Sequence, residues 1–238
     1  MIRLALLITL LAGPAAAQDL TLSLGEGGAA SGRILHLLVL VTLLSLVPGI
    51  AVMVTCFPFI VTVLSILRQA LGLQAAPPNM LIVTLALFLS WHVMDPVLTA
   101  AWQAGGAPFA DGSMPLEEAF PKAVTPFRHF MAARLNPETF AALEALRPGA
   151  SSVSDPAEAD LSLLIPSFLL SEITRAFQIG FILFLPFLII DLVVAAILMS
   201  MGMMMVPPAI VALPFKLAFF VVADGWTLVA SALVRSYG

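Results

Sequence analysis

The sequence predicts an all-α, membrane-associated fold: long helical hairpins with a small helical domain inserted between them. Three observations carry this. Hydrophobic residues make up 61% of the chain and charged residues 10%, against about 25% charged in an average soluble domain. The apolar residues gather in runs too long for a globular core and long enough to span a bilayer. Two such blocks, 34–102 and 163–238, flank a polar middle, 103–162. A net charge of −4 argues against nucleic acid as a partner. Cys56 is the only cysteine, which leaves no internal disulfide and no thiolate metal site.

Residues 1–17 read as a secretory signal peptide. Arg3 gives a positive start, and Leu4 to Ala12 is an apolar stretch too short to span. Gly13-Pro14 breaks it, and Ala15-Ala16-Ala17 supplies a small-residue cleavage pattern before Gln18. An uncleaved first anchor is the competing reading. Cleavage places Gln18 outside a bacterial inner membrane. Residues 18–33 are polar and glycine-containing, as expected of a mobile tail.

The first block is divided by Arg68-Gln69 and by Gly72 to Asn79, where a capping glycine precedes Pro77-Pro78. This predicts two antiparallel helices, over 34–70 and 79–101. The first would measure roughly 50 Å at 1.5 Å per residue, against about 30 Å of hydrocarbon. It must tilt, bend at Pro48-Gly49 or Pro58, or project beyond the bilayer.

The middle holds four basic and eight acidic residues between 103 and 161. Thr125-Pro126 and Asn136-Pro137 read as helix starts. Phe127, Phe130, Met131 and Leu135 share a face after the first, and Phe140, Leu143 and Leu146 after the second, which ends at Pro148-Gly149. These predict short amphipathic helices of a water-facing domain. Counting spans from a cleaved signal puts it on the periplasmic side. His36, His92 and His129 are isolated, and no metal site is assigned.

The second block carries Glu172, Arg175, Asp191, Lys216 and Asp224 within or beside apolar sequence. Such charges pair or line a polar space. Glu172 and Arg175 are three apart, on one helix face. Asp191 and Lys216 lie at matching distances on either side of Met203-Met204, so a hairpin turn there would set them face to face. Structural ion pairs are the favoured reading, since a proton pathway needs a chain of acids or histidines that the sequence does not assemble.

Five methionines fall between Met199 and Met205, with Gly202 among them and Pro207-Pro208 after them. Unbranched, polarizable thioethers fill irregular gaps. In a tight turn they are either core filler or a soft apolar collar. No hydrolytic or nucleophilic constellation is present, so no enzyme activity and no cofactor are expected.

These motifs resemble the FliP family of flagellar export-gate proteins. Leu64 to Gly72, followed by Pro77-Pro78-Asn79, is similar to its first block. The second block resembles it more strongly: Ser171-Glu172, Ala176 to Phe181, Leu185 to Asp191, Met199 to Pro208, Leu213-Pro214-Phe215-Lys216 and Asp224-Gly225-Trp226. One departure stands out. At Thr55-Cys56-Phe57-Pro58-Phe59-Ile60 the family pattern reads Thr-Ser-Phe-Thr-Arg-Ile, so Phe59 replaces an arginine.

The resemblance implies a multi-pass protein of the bacterial inner membrane at the flagellar basal body. Several copies would assemble with FliQ-like and FliR-like subunits, beside FlhA-like and FlhB-like components, as a channel for unfolded flagellar proteins. Met201, Met203, Met204 and Met205 would then form a pore gasket hinged at Gly202, Pro207 and Pro208. Glu172, Arg175, Asp191 and Lys216 would make buried or intersubunit ion pairs. The related injectisome gate and an independent transporter, using Asp191, Lys216 and Asp224, are the alternatives. The signal peptide and sizeable inserted domain favour the flagellar branch.

Overall fold

The computed structural model describes residues 37–39, 41, 42, 45, 49–73, 77–147, 155–203 and 205–237. The expectations for the signal peptide, the 18–33 tail, His36, Pro48, Pro148-Gly149 and Met204 lie outside these residues. The chain divides into two units, 1–47 and 48–238. In the first, the described residues are helical, and Thr42 donates to the Leu38 carbonyl at 2.7 Å. The second holds all the longer helices among the described residues.

All regular structure among the described residues is helical. The helix predicted over 34–70 is interrupted at residues 54–56. A new helix, α1 (Phe57–Ala70), starts there with Pro58 in its first turn. A first-turn proline gives up an N–H that has no partner in any case, so Pro58 starts a helix rather than bending one. Phe59, Ile60, Val63, Leu64, Leu67 and Ala70 form its buried stripe, and the main core is built around them.

The helix α2 (Asn79–Ala101) comes next, matching the predicted 79–101. Arg68 donates to the Pro77 carbonyl and the Asn79 side chain, fastening the end of α1 to the start of α2. A π-turn over Trp102–Gly106 carries α2 into the short α3 (Ala107–Ala110). Gly105 is required here: a Cβ would lie 2.2 Å from the Ala119 carbonyl oxygen.

That carbonyl belongs to α4 (Leu116–Arg134), which runs through Pro121 and Pro126. The start predicted at Thr125-Pro126 is therefore wrong. The Thr125 hydroxyl donates back to the Pro121 carbonyl inside the helix instead of capping a new one. Packing of Phe127, Phe130 and Met131 into the core outweighs the missing proline N–H. The true start has Glu117 and Glu118 in its first turn, where the helix dipole favours acids.

Asn136 caps α5 (Pro137–Ala145) as predicted, accepting from the Glu138 and Thr139 N–H groups at 2.8 and 3.2 Å. A 3₁₀ turn, Pro156–Glu158, leads to α6 (Leu161–Ser200). At 40 residues, α6 is roughly 60 Å long, about twice a bilayer's hydrocarbon thickness. Gly180 lets α6 sit close on α1, since a Cβ would meet Ile66 Cδ1 at 2.5 Å.

The chain returns through α7 (Pro208–Val222) and α8 (Gly225–Arg235), which are bent from one another by 61°. Among the described residues, two helices are long and apolar enough to cross a membrane, or three if the bent pair is one span.

Candidate functional site

The methionine run forms the tip between α6 and α7. Two reversed bonds end α6: the Gly202 N–H donates to the Met199 carbonyl and the Met203 N–H to that of Leu198, both at 3.0 Å. This closure needs a left-handed residue, and Gly202 has φ +75°. Pro207 precedes α7 and Pro208 opens it, a position where a missing N–H costs nothing. Val206 turns inward against Val194, Leu198 and Ala212. The thioethers turn outward: Met201 is 67% exposed, Met203 40% and Met205 97%. They do not fill this chain's core.

Further along the same two helices, Lys216 on α7 reaches Asp191 on α6 at 2.6 Å. Its ammonium also donates to the Ala70 carbonyl at 3.0 Å. It thus holds the C-terminal end of α1, where a cation suits the helix dipole, and joins three helices. Asp191 Oδ1 is buried with no hydrogen-bond partner among the described residues. Asp224 lies exposed at the α7–α8 bend in the left-handed region, φ 47°.

Glu172 is fully buried, but not against Arg175. Arg175 is exposed and has no ion-pair partner among the described residues. The i, i+3 spacing places the two on one side of α6 and does not decide which neighbour completes the pair. Arg134, the last residue of α4, approaches Glu172 Oε1 with Nε at 3.1 Å. Its Nη1 donates to the Ser236 carbonyl at 2.7 Å. The guanidinium lies 3.9 Å from the Tyr237 ring centre and 6.0 Å from that of Phe59. The Tyr237 hydroxyl donates to Glu172 Oε2. Burial, and then the adjacent carboxylate, raise the Tyr237 hydroxyl far above the ordinary phenol range, so it remains a donor. Sequence reasoning missed Arg134 and Tyr237. The one available signal was an arginine ending an apolar helix face.

Residues 40–233 match the model of the FliP family. The flagellar biosynthetic protein FliP of Caulobacter vibrioides is 47% identical over 230 residues, covering 94% of this chain and 85% of the relative. The FliP proteins of Aquifex aeolicus and Bacillus subtilis are 43% and 42% identical, covering 91% and 84% of this chain and 90% of each relative.

The chain belongs to the FliP family.

The matched region contains the methionine tip, the Lys216–Asp191 pair, Arg134 and Glu172, and ends before Ser236 and Tyr237. Large apolar side chains exposed along α6, including Phe177, Phe181, Ile189 and Leu192, give this FliP-family chain a surface suited to lipid or to packed neighbours rather than to water.

Proposed function

We propose that this chain is a subunit of the flagellar protein export gate. Several copies, together with FliQ-like and FliR-like subunits, form the channel by which unfolded flagellar proteins cross the inner membrane. FlhA-like and FlhB-like components stand beside it at the basal body. Family membership over residues 40–233 carries the reading. The geometry supports it: a tip of exposed thioethers presents soft apolar surface outside its own subunit, as a gasket shared among copies requires. Met201, Met203, Met204 and Met205 form that gasket, with Gly202, Pro207 and Pro208 as its hinge. The domain at 103–162 faces the periplasm, and residues 1–17 are removed. The subunit performs no catalysis and needs no cofactor.

Complementation tests this reading. A host lacking its own copy of the gene should regain motility and secretion of flagellar proteins when the full chain is supplied. Membrane-purified protein should begin at Gln18. Restored membrane insertion without secretion overturns the gate assignment, and retained Met1 overturns the processing.

A further inference from the structure

We propose that copies of this chain meet α2 against α6, with Asp95 of one copy paired to Arg175 of the next. This rests on the reading that several copies assemble. Asp95 and Arg175 are exposed, and neither has an ion-pair partner among the described residues. Each ends a mainly apolar outward stripe. On α2, Asp95 shares a helical face with Trp91, Phe88 and Leu81, all exposed. On α6, Arg175 shares one with Ile182, Leu185 and Ile189, also exposed. Both stripes extend about 21 Å from the charge. An acid that heads one apolar stripe and a cation that heads another of equal length are complementary surfaces.

The helices run in the directions this pairing requires. Cys56 at the start of α1 reaches the Ser90 carbonyl, and Arg68 near its end reaches Asn79, so α1 and α2 are antiparallel. Ile66 faces Gly180, and Ala70 lies farther along beside the Lys216–Asp191 pair, so α1 and α6 are parallel. In two copies standing the same way up, α2 of one is therefore antiparallel to α6 of the other. Asp95 beside Arg175 then sets Trp91, Phe88 and Leu81 along Ile182, Leu185 and Ile189. Lipid fits this face of α2 poorly. Its apolar part, Leu81 to Trp91, spans about 15 Å, half of the roughly 30 Å of hydrocarbon. Beyond it His92, Asp95, Thr99 and Gln103 are exposed, and an ionisable group is costly in hydrocarbon.

Within one chain the two charges differ in height by about 15 Å, counted from the Cys56–Ser90 and Ile66–Gly180 contacts. Both side chains lean toward the N-termini of their helices, hence toward each other. That leaves a rise of about 5 Å per copy, one helical turn. A contact between two unlike faces with such a rise builds an open helical array, not a flat ring.

The test uses the full chain in its host, with the chromosomal copy deleted. It reads the fraction of membrane protein that is multimeric when released in mild detergent. Asp95→Arg and Arg175→Asp should each lower that fraction about fivefold, by setting like charges together. The double reversal should restore at least about half of it. A second measurement co-expresses two differently tagged forms, Asp95→Cys and Arg175→Cys. A bismaleimide should join one form to the other, while Cys56, fully buried, stays unreacted. Parent multimer fractions in both single reversals overturn the proposal. So does a loss that the double reversal does not relieve. Multimers that the reagent leaves unjoined overturn it too, since the copies then meet on other faces. Joined multimers in a host that secretes no flagellar protein uphold the contact and overturn the gate reading alone. Monomers alone in a secreting host overturn the contact while the export role stands.

Discussion

The Lys216 ammonium meets Asp191 at 2.6 Å across the turn that joins α6 to α7. The same ammonium holds the Ala70 carbonyl at 3.0 Å, so one buried cation serves an ion pair and a helix end together. Lys216→Met should cost about 3 kcal/mol, because it strands a carboxylate and a carbonyl at once. Asp191→Asn should cost less, since that side chain is one-third exposed and Lys216 keeps Ala70. The double variant should recover at least about 1 kcal/mol relative to the sum of the two. Thermal unfolding of the purified protein in detergent measures all three, and strict additivity would show that the pair does not interact.

Gly202 is held by conformation, not by space. Its φ is +75°, and a Cβ would meet nothing within 4 Å. Gly202→Ala should therefore cost about 1 kcal/mol from left-handed strain alone. Gly202→Asn should cost roughly half of that, because asparagine tolerates this region. Equal melting temperatures for Gly202→Ala and the parent would remove the strained closure at the end of α6.

What the sequence could disclose depended on how local each signal was. The Asn136-Pro137 start was legible because its cap bonds span only two and three residues. The Asp191–Lys216 pair was legible because one turn sets both depths. The start at Thr125-Pro126 was misread because tertiary packing carries α4 through both prolines. The partner of Glu172 was hidden for a related reason. Arg134 lies 38 residues away on another helix, and helical spacing names only neighbours on the same helix. The break at residues 54–56 was anticipated only as a bend at Pro58.

Gly180 sets the approach of α6 to α1. A Cβ there would stand 2.5 Å from Ile66 Cδ1 and 3.2 Å from Ile66 Cβ, so Ile66 cannot simply swing aside. Gly180→Val should destabilise the subunit by about 2 kcal/mol through overpacking. Ile66→Ala should relieve part of that loss in the double variant, although alone it leaves a cavity. Protease resistance in membranes reads both. An unaffected Gly180→Val variant would mean that the two helices are free to separate.

The gasket separates from core filler by how volume and stiffness act on the seal. Met203 and Met205 project from the tip, so replacing these two with Ala removes little that this subunit packs against itself; the variant replaces Met204 as well. The triple Ala variant should assemble normally and leave a wider resting opening. Ions or small solutes normally excluded by the inner membrane should then leak in, with export at least partly retained. Replacement with Leu keeps similar volume but adds branching and stiffness. That variant should stay sealed and export more slowly. Core filler predicts the reverse: Ala variants that assemble poorly without leaking, and Leu variants like the parent. Growth inhibition by an excluded solute, measured beside secretion, tells the two apart. A triple Ala complex that assembles fully and remains tight removes the methionines from the seal.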